Sequence, residues 1–220
     1  MTADARYTRG IMGMASAARY LEIPQQTFHR WARGYQHGMP IIHVLDRNAA
    51  DSPVTFMSLV EAWVLEGLRR AGVRPQRIRP ALDVLQKEFG REYVLTSPNL
   101  ATDGVDVLWD FSRTQQGAGL IQGASGQTII REIVEDYLQY VTWEGAEPTV
   151  LHLRSCEPSK VIVDPQRGFG QPRFGAAGAR MIDVAAMLKA GEQPDAVADE
   201  YGISESDVRT AARILLGRAS

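Results

Sequence analysis

From Met14 to Gly34 the apolar positions fall into two short helical registers separated by a break. Ala17, Ala18 and Leu21 recur at helical intervals, Glu22-Ile23-Pro24 interrupts them, and Phe28 and Trp31 then lie three apart on one face. Proline suits the opening of a helix, where its missing N–H would have had no partner. The pattern therefore predicts a second helix from Pro24, with Gln25, Gln26, Thr27, His29, Arg30 and Arg33 on its outer face. Two such helices are either a corner used only for packing or a helix-turn-helix that places side chains in a DNA major groove. In the second case Arg30 and Arg33 suit phosphate or guanine, and Gln25, Gln26 and Thr27 suit base edges, with His29 a further polar contact.

Beyond Gly34, Ile41-Ile42-His43-Val44-Leu45 and Pro53-Val54-Thr55-Phe56 read as two strands around a turn at Asp46-Arg47-Asn48, a hairpin placed where a wing would follow. Ser58 with Glu61 three residues on predicts a capping box for a helix striped by Leu59, Ala62, Trp63, Leu65 and Leu68. Gly72 ends it, and Ile78, Leu82, Leu85 and Phe89 stripe a second supporting helix. Between 92 and 154 the signals are mixed: EYVL, VDVLWDF, GLIQ and TVLHLR suggest strands, and TIIREIVEDYLQYV an amphipathic helix. A strand at SKVIV precedes three predicted helices, Ile182–Ala190, Pro194–Tyr201 and Ser204–Leu216, with Ser204 and Asp207 as a cap.

Charge divides what the near-neutral total of −2 conceals. Residues 1–91 hold 13 Lys/Arg against 8 Asp/Glu, and residues 92–220 hold 11 against 18, so a basic half (+5) precedes an acidic half (−7). Phosphate favours the first and is repelled by the second. The C-terminal stretch DAVADEYGISESDVRTAARIL has a second helix-turn-helix pattern, but Asp195, Asp199, Glu200, Glu205 and Asp207 face outward, which points to a protein partner or dimer contact rather than DNA. No apolar run approaches the roughly 18–20 residues of a membrane span. The opening MTADARYTRGIMG has no leader-like apolar core, so no membrane and a cytoplasmic location are expected.

Catalytic signals are weak. His29, His37, His43 and His152 lack ligand spacing, and Cys156, the single cysteine, has no base near it in sequence. GAGLIQGASG has the wrong spacing for a dinucleotide loop. No enzyme activity, cofactor or metal is expected.

Two stretches carry a resemblance. VIVDPQRGFGQPRFGAAGARMIDVAAMLKAGEQPDAVADEYGISESDVRTAARIL is similar to the small helical domain-of-unknown-function family four-three-three, with Asp164-Pro165, Phe169-Gly170-Gln171-Pro172, Ala190-Gly191-Glu192 and Tyr201-Gly202 at the matching places. FMSLVEAWVLEGLRRAGVRPQRIRPALDVLQKEFG resembles the F-x-x-L-V-E-A module that precedes it in longer members, which begin with a MerR-like helix-turn-helix. Together they resemble the large, mycobacterial-type antitoxins of VapBC systems, and the resemblance spans nearly the whole chain. One departure is the stretch Gly175–Met181, where the family reads G-T-R-I and this chain has no threonine.

The fold expected is α+β: residues 1–91 a MerR-like winged helix-turn-helix with supporting helices, 92–156 a mixed α/β middle, and 157–220 a C-terminal three-helix unit. The resemblance implies an antitoxin that neutralises a PIN-domain ribonuclease toxin and represses its own operon through operator DNA. Half-site reading implies a homodimer, with Leu59–Leu68 and Ile129–Val141 as interface or core. Against the metal-binding carboxylates of such a nuclease, Arg209, Arg213 and Arg218 beside Ile214, Leu215 and Leu216 are candidate toxin contacts. The alternative is a free-standing MerR-like regulator with a ligand-sensing C-terminal region.

Overall fold

A computed structural model describes residues 4–35, 39–46, 51–122 and 126–217. The chain opens with α1 (Ala5–Thr8), β1 (Gly10–Met12), α2 (Met14–Tyr20) and α3 (Gln25–Arg33), followed by β2 (Val54–Thr55) and α4 (Phe56–Arg70). Then come α5 (Arg79–Phe89), α6 (Asp103–Ser112) and α7 (Gln127–Leu138), and four strands, β3 (Val141–Glu144), β4 (Glu147–His152), β5 (Val161–Val163) and β6 (Arg173–Phe174). The chain closes with α8 (Met181–Ala190), α9 (Pro194–Tyr201) and α10 (Glu205–Ala211), which runs into a π-helical turn, Ala212–Leu216. The result is an α+β fold with two antiparallel sheets among the described residues: β1–β2, and the meander β3–β4–β5–β6.

The core is organised around α4, in which every residue from Phe56 to Leu68 is buried. Such burial on all sides is possible because other elements cover it on every flank; Trp63 Nε1 donates to the Tyr137 carbonyl oxygen at 2.7 Å, fixing α7 alongside. At Gly67 an added Cβ would sit 2.7 Å from the Tyr137 ring, so only glycine permits this close approach. The Leu59–Leu68 stripe is thus consumed inside the chain and offers no dimer face; on α7, Ile130, Val134, Tyr137 and Leu138 are buried and Ile129 is exposed.

Five local expectations change. The two wing strands do not pair: β2 pairs instead with β1 (Gly10↔Thr55, Met12↔Val54), and 41–45 meets it only through Leu45 N–H donating to the Pro53 carbonyl oxygen at 2.8 Å. Arg47 and Asn48 of the expected turn lie outside the described residues. The cap of α4 is Thr55, not Ser58: Thr55 accepts from Ser58 N–H and Ser58 from Thr55 N–H, each at 3.1 Å. VDVLWDF is helical in α6, with Val105, Leu108 and Phe111 buried at three-residue spacing, and EYVL contributes a 3₁₀ turn, Val94–Thr96. GLIQ makes one isolated bridge, Ile121 to Val73.

Candidate nucleic-acid interface

Helices α2 and α3 meet through a turn closed by Ile23 N–H donating to the Ala18 carbonyl oxygen at 2.9 Å. Glu22 takes the left-handed conformation there (φ 53°), a position usually given to glycine. Pro24 serves as N-cap of α3, one place earlier than the first-turn position, and its carbonyl accepts from Thr27 and Phe28 N–H. Ala17, Ala18, Leu21, Phe28, Trp31 and Ala32 bury the inner side of the pair. The outer side of α3 is then left to Gln25, Gln26, His29, Arg30 and Arg33, all exposed, and Thr27, half-buried. All six predicted contact residues therefore lie on one helix, outside its packed face.

Their electrostatic state suits an anionic partner. Among the described residues, neither Arg30 nor Arg33 forms an ion pair. Gln25, His29 and Arg33, four residues apart, line a groove of about 440 Å³ against Gly13, Met14 and Ala15 of the α2 start, with Asp51 and Pro53 on its far side. Thr27 and Arg30 line a second groove on the opposite flank, of about 540 Å³, whose far wall is Arg69, Arg74, Arg77 and Gln122. The apolar periodicity of the supporting helices does not single out these arginines; their signal in the sequence is the run RRAGVRPQR (69–77) at the end of α4.

The segment leaving α3 is tied to the core by charge. The His43 backbone N–H and Nδ1 both reach the buried Glu61 carboxylate at 2.8 Å, and the ring packs on Tyr93. Burial draws the imidazole down, but the Glu61 hydrogen bond and charge, helped by Glu92, hold it above its ordinary value; Arg79 acts the other way. Burial raises the Glu61 carboxyl against the pull of His43. Here Glu61 is a tether rather than a cap.

At the other end of the chain, α9 and α10 form a second helix-turn-helix. Asp195, Asp199, Glu200 and Glu205 are exposed. Asp207 caps with Ser204, and Arg209 pairs with Glu205 at 3.1 Å. Arg213 donates to the Ser155 carbonyl oxygen at 2.7 Å, so it lies against the body of the protein; Arg218 is outside the described residues. Cys156 is buried, and burial pushes its thiol up to about 11. His37 is outside the described residues, and His152 faces Thr142 at 3.0 Å.

An exposed basic helix on a buried helix-turn-helix scaffold defines a DNA-binding class, and sequence comparison places it. Residues 10–82 match the family described as "Putative DNA-binding HTH domain", and residues 161–213 match "Protein of unknown function (DUF433)". "Putative antitoxin VapB45" of Mycobacterium tuberculosis is 38% identical over 227 aligned residues, covering 94% of this chain and 95% of its own. "Uncharacterized protein Rv2308" of the same organism is 24% identical over 96% of this chain and 92% of its own. A crystal structure of Rv2018 from Mycobacterium tuberculosis superposes with a TM-score of 0.77 at 35% identity, covering 94% of this chain and 99% of that one. The chain belongs to the family of that antitoxin, a helix-turn-helix protein with a DUF433 unit. No described helix is long and apolar enough to cross a membrane.

Proposed function

We infer that the protein is a cytoplasmic, homodimeric antitoxin that binds operator DNA through α3, represses its own operon and neutralises a PIN-domain ribonuclease. The observation that carries the DNA half is the outer face of α3. Gln25, Gln26, His29, Arg30 and Arg33 are exposed, and its two arginines have no carboxylate partner among the described residues. A helix entering a major groove needs cations for phosphate and bidentate side chains for base edges, and this face has both. The membership shown above supports the antitoxin half. The acidic face of α9 and the terminal arginines Arg209, Arg213 and Arg218 are the two candidate toxin contacts. The first is the better placed, since Glu205 and the Ser155 carbonyl already hold Arg209 and Arg213.

The test is binding of the purified protein to DNA from upstream of its own gene, measured across a salt series, for the native chain and for Arg30→Ala with Arg33→Ala. Each lost phosphate contact is expected to flatten the log–log salt slope by about 0.9. An unchanged slope and affinity in a folded variant removes α3 from the interface. Growth rescue in cells expressing the proposed PIN-domain nuclease, by the native chain, by Arg213→Ala and by a chain ending at Leu216, separates the two toxin contacts.

A further inference from the structure

The groove on the far flank of α3 is built from three separate parts of the chain. Thr27 and Arg30 come from α3, Arg69 from the last turn of α4, Arg74 and Arg77 from the turn that follows, and Gln122 from a distant loop. Backbone bonds lay that loop down: Arg74 N–H donates to the Leu120 carbonyl oxygen and Gln122 N–H to the Gly72 carbonyl oxygen, both at 2.8 Å.

Few of these cations are neutralised. Arg69 shares the single buried Glu66 carboxylate with Arg70, at 2.7 and 2.8 Å. Arg77 is held by a neutral acceptor, the Ala118 carbonyl oxygen at 2.8 Å. Arg74 faces the Gln122 amide, whose oxygen accepts from its Nε at 2.7 Å once turned toward it. Arg30, Arg74 and Arg77 form no ion pair with any described residue. Trp31 also lines the groove, and its buried indole N–H has no hydrogen-bond partner in the described structure. Four guanidinium groups facing one space repel one another unless an anion enters. Planar guanidinium forks match phosphate oxygens two at a time.

We propose that this groove binds the sugar–phosphate backbone of duplex DNA beside the major groove entered by α3, with Arg74 and Arg77 as phosphate ligands and Arg30 shared between the two surfaces. The inference rests on the DNA-binding reading of α3 and adds a second, sequence-independent contact. Phosphate contacts of this kind fix orientation and register and do not read bases. The loop around Gln122 would then hold the arginines in place, since Arg74 and Arg77 both lean on it.

The test compares the full chain with Arg74→Gln/Arg77→Gln and with Arg74→Lys/Arg77→Lys. Two fluorescent duplexes are used, one from upstream of the gene and one of scrambled sequence, across a salt series, with thermal melts to confirm folding. The glutamine pair is expected to weaken binding to both duplexes by the same factor, about tenfold or more at 100 mM salt, and to flatten both slopes by about 1.8. The lysine pair is expected to keep the native slope. If the native chain binds and the folded glutamine pair matches it in affinity and slope, the groove is not a backbone site and α3 stands alone. A loss confined to the upstream duplex overturns the proposal too, because it assigns the arginines to base reading. If the native chain binds neither duplex, the DNA reading of α3 fails and takes the groove with it. A glutamine pair that does not fold passes the decision to Arg77→Gln alone, whose native side chain is held by a neutral carbonyl: slopes flattened by about 0.9 on both duplexes support the proposal, and unchanged slopes overturn it.

Discussion

The two helix-turn-helix units of this chain share a backbone and differ in their outer faces. Ile23 N–H donates to the Ala18 carbonyl oxygen at 2.9 Å in the first, and Ile203 N–H to the Ala198 carbonyl oxygen at 3.0 Å in the second. Counting on from those bonds, Phe28 corresponds to Val208 and Trp31 to Ala211, all buried. The turn residue is left-handed in both, Glu22 at φ 53° and Gly202 at φ 61°. Outward the resemblance ends. α3 shows arginines without carboxylates, whereas α9 and α10 show carboxylates, of which Glu205 holds Arg209 and Asp207 holds the Ser204 cap. The motif is thus a way of packing two helices. Burial of one side sets the geometry, and the charge left on the other side selects the partner.

Removing the buried side should have the largest effect. Trp31 is fully buried, and truncating a residue of this size leaves a cavity that neighbours refill only in part. Trp31→Ala is expected to lower unfolding free energy by about 3–5 kcal/mol, measured by urea denaturation. Arg33→Ala, on the exposed face, should stay within about 0.5 kcal/mol of the native chain. A small loss for Trp31→Ala would show that burial does not hold the first unit together.

Next in size is reversal of the outer charge. Arg30→Glu with Arg33→Glu gives α3 a face like that of α10. Affinity for the upstream duplex is expected to fall by about 50-fold or more at 100 mM salt, with the melting profile preserved. Retained affinity would mean that charge does not distinguish the two units.

That comparison also shows what the sequence made legible. Ala17, Ala18, Leu21, Phe28 and Trp31 mark the first unit because a helix repeats its contacts every three to four residues within one short window. Pro194, Gly202 and Ser204 mark the second by the same local logic of caps and stops. The wing hairpin failed because the partner of Val54 is Met12, and pairing over such a distance leaves no trace in adjacent residues. α6 read as a strand because Val105-Asp106-Val107 alternates, although the buried set is Val105, Leu108 and Phe111. Thr55 and Ser58 are both cap-forming types three apart, and only the backbone shows which one caps and which answers it. The six residues of α3 could be read off one helix. The groove beside it could not, because Gln122 reaches Arg74 from a loop with no pattern of its own.

The turn offers a smaller and more pointed comparison. A side chain in the left-handed region costs about 1 kcal/mol or somewhat more, and glycine avoids it. Glu22→Gly should raise unfolding free energy by up to about 1 kcal/mol, and Gly202→Ala should lower it by about the same amount. Both are read from the denaturation midpoint. Opposite signs confirm that one backbone geometry serves both turns; a neutral Gly202→Ala breaks the equivalence.

The smallest expected effect is a pH dependence confined to the first unit. His43 meets the buried Glu61 through Nδ1 at 2.8 Å and Glu92 through Nε2 at 3.6 Å, under the opposing influence of Arg79. The net result holds imidazolium above its ordinary value, so the folded chain binds that proton more tightly than the unfolded one. The stability contributed by the His43 proton is therefore fully present below about pH 6.5. It is lost as pH rises through the folded-state value of His43. Because His43 remains partly exposed, the loss between pH 6 and 9 should stay below about 1 kcal/mol. Urea denaturation at pH 6, 7.5 and 9 should show the native chain weakening and His43→Asn weakening less. The segment from 157 onward contains no histidine, so amide exchange should quicken with pH, beyond its intrinsic dependence, in α2 and α3 and not in α9 and α10. Equal weakening of native and variant chains would leave the His43–Glu61 tether without a role in stability. Equal quickening of both helix pairs would place the titrating group elsewhere and remove this distinction between the two units.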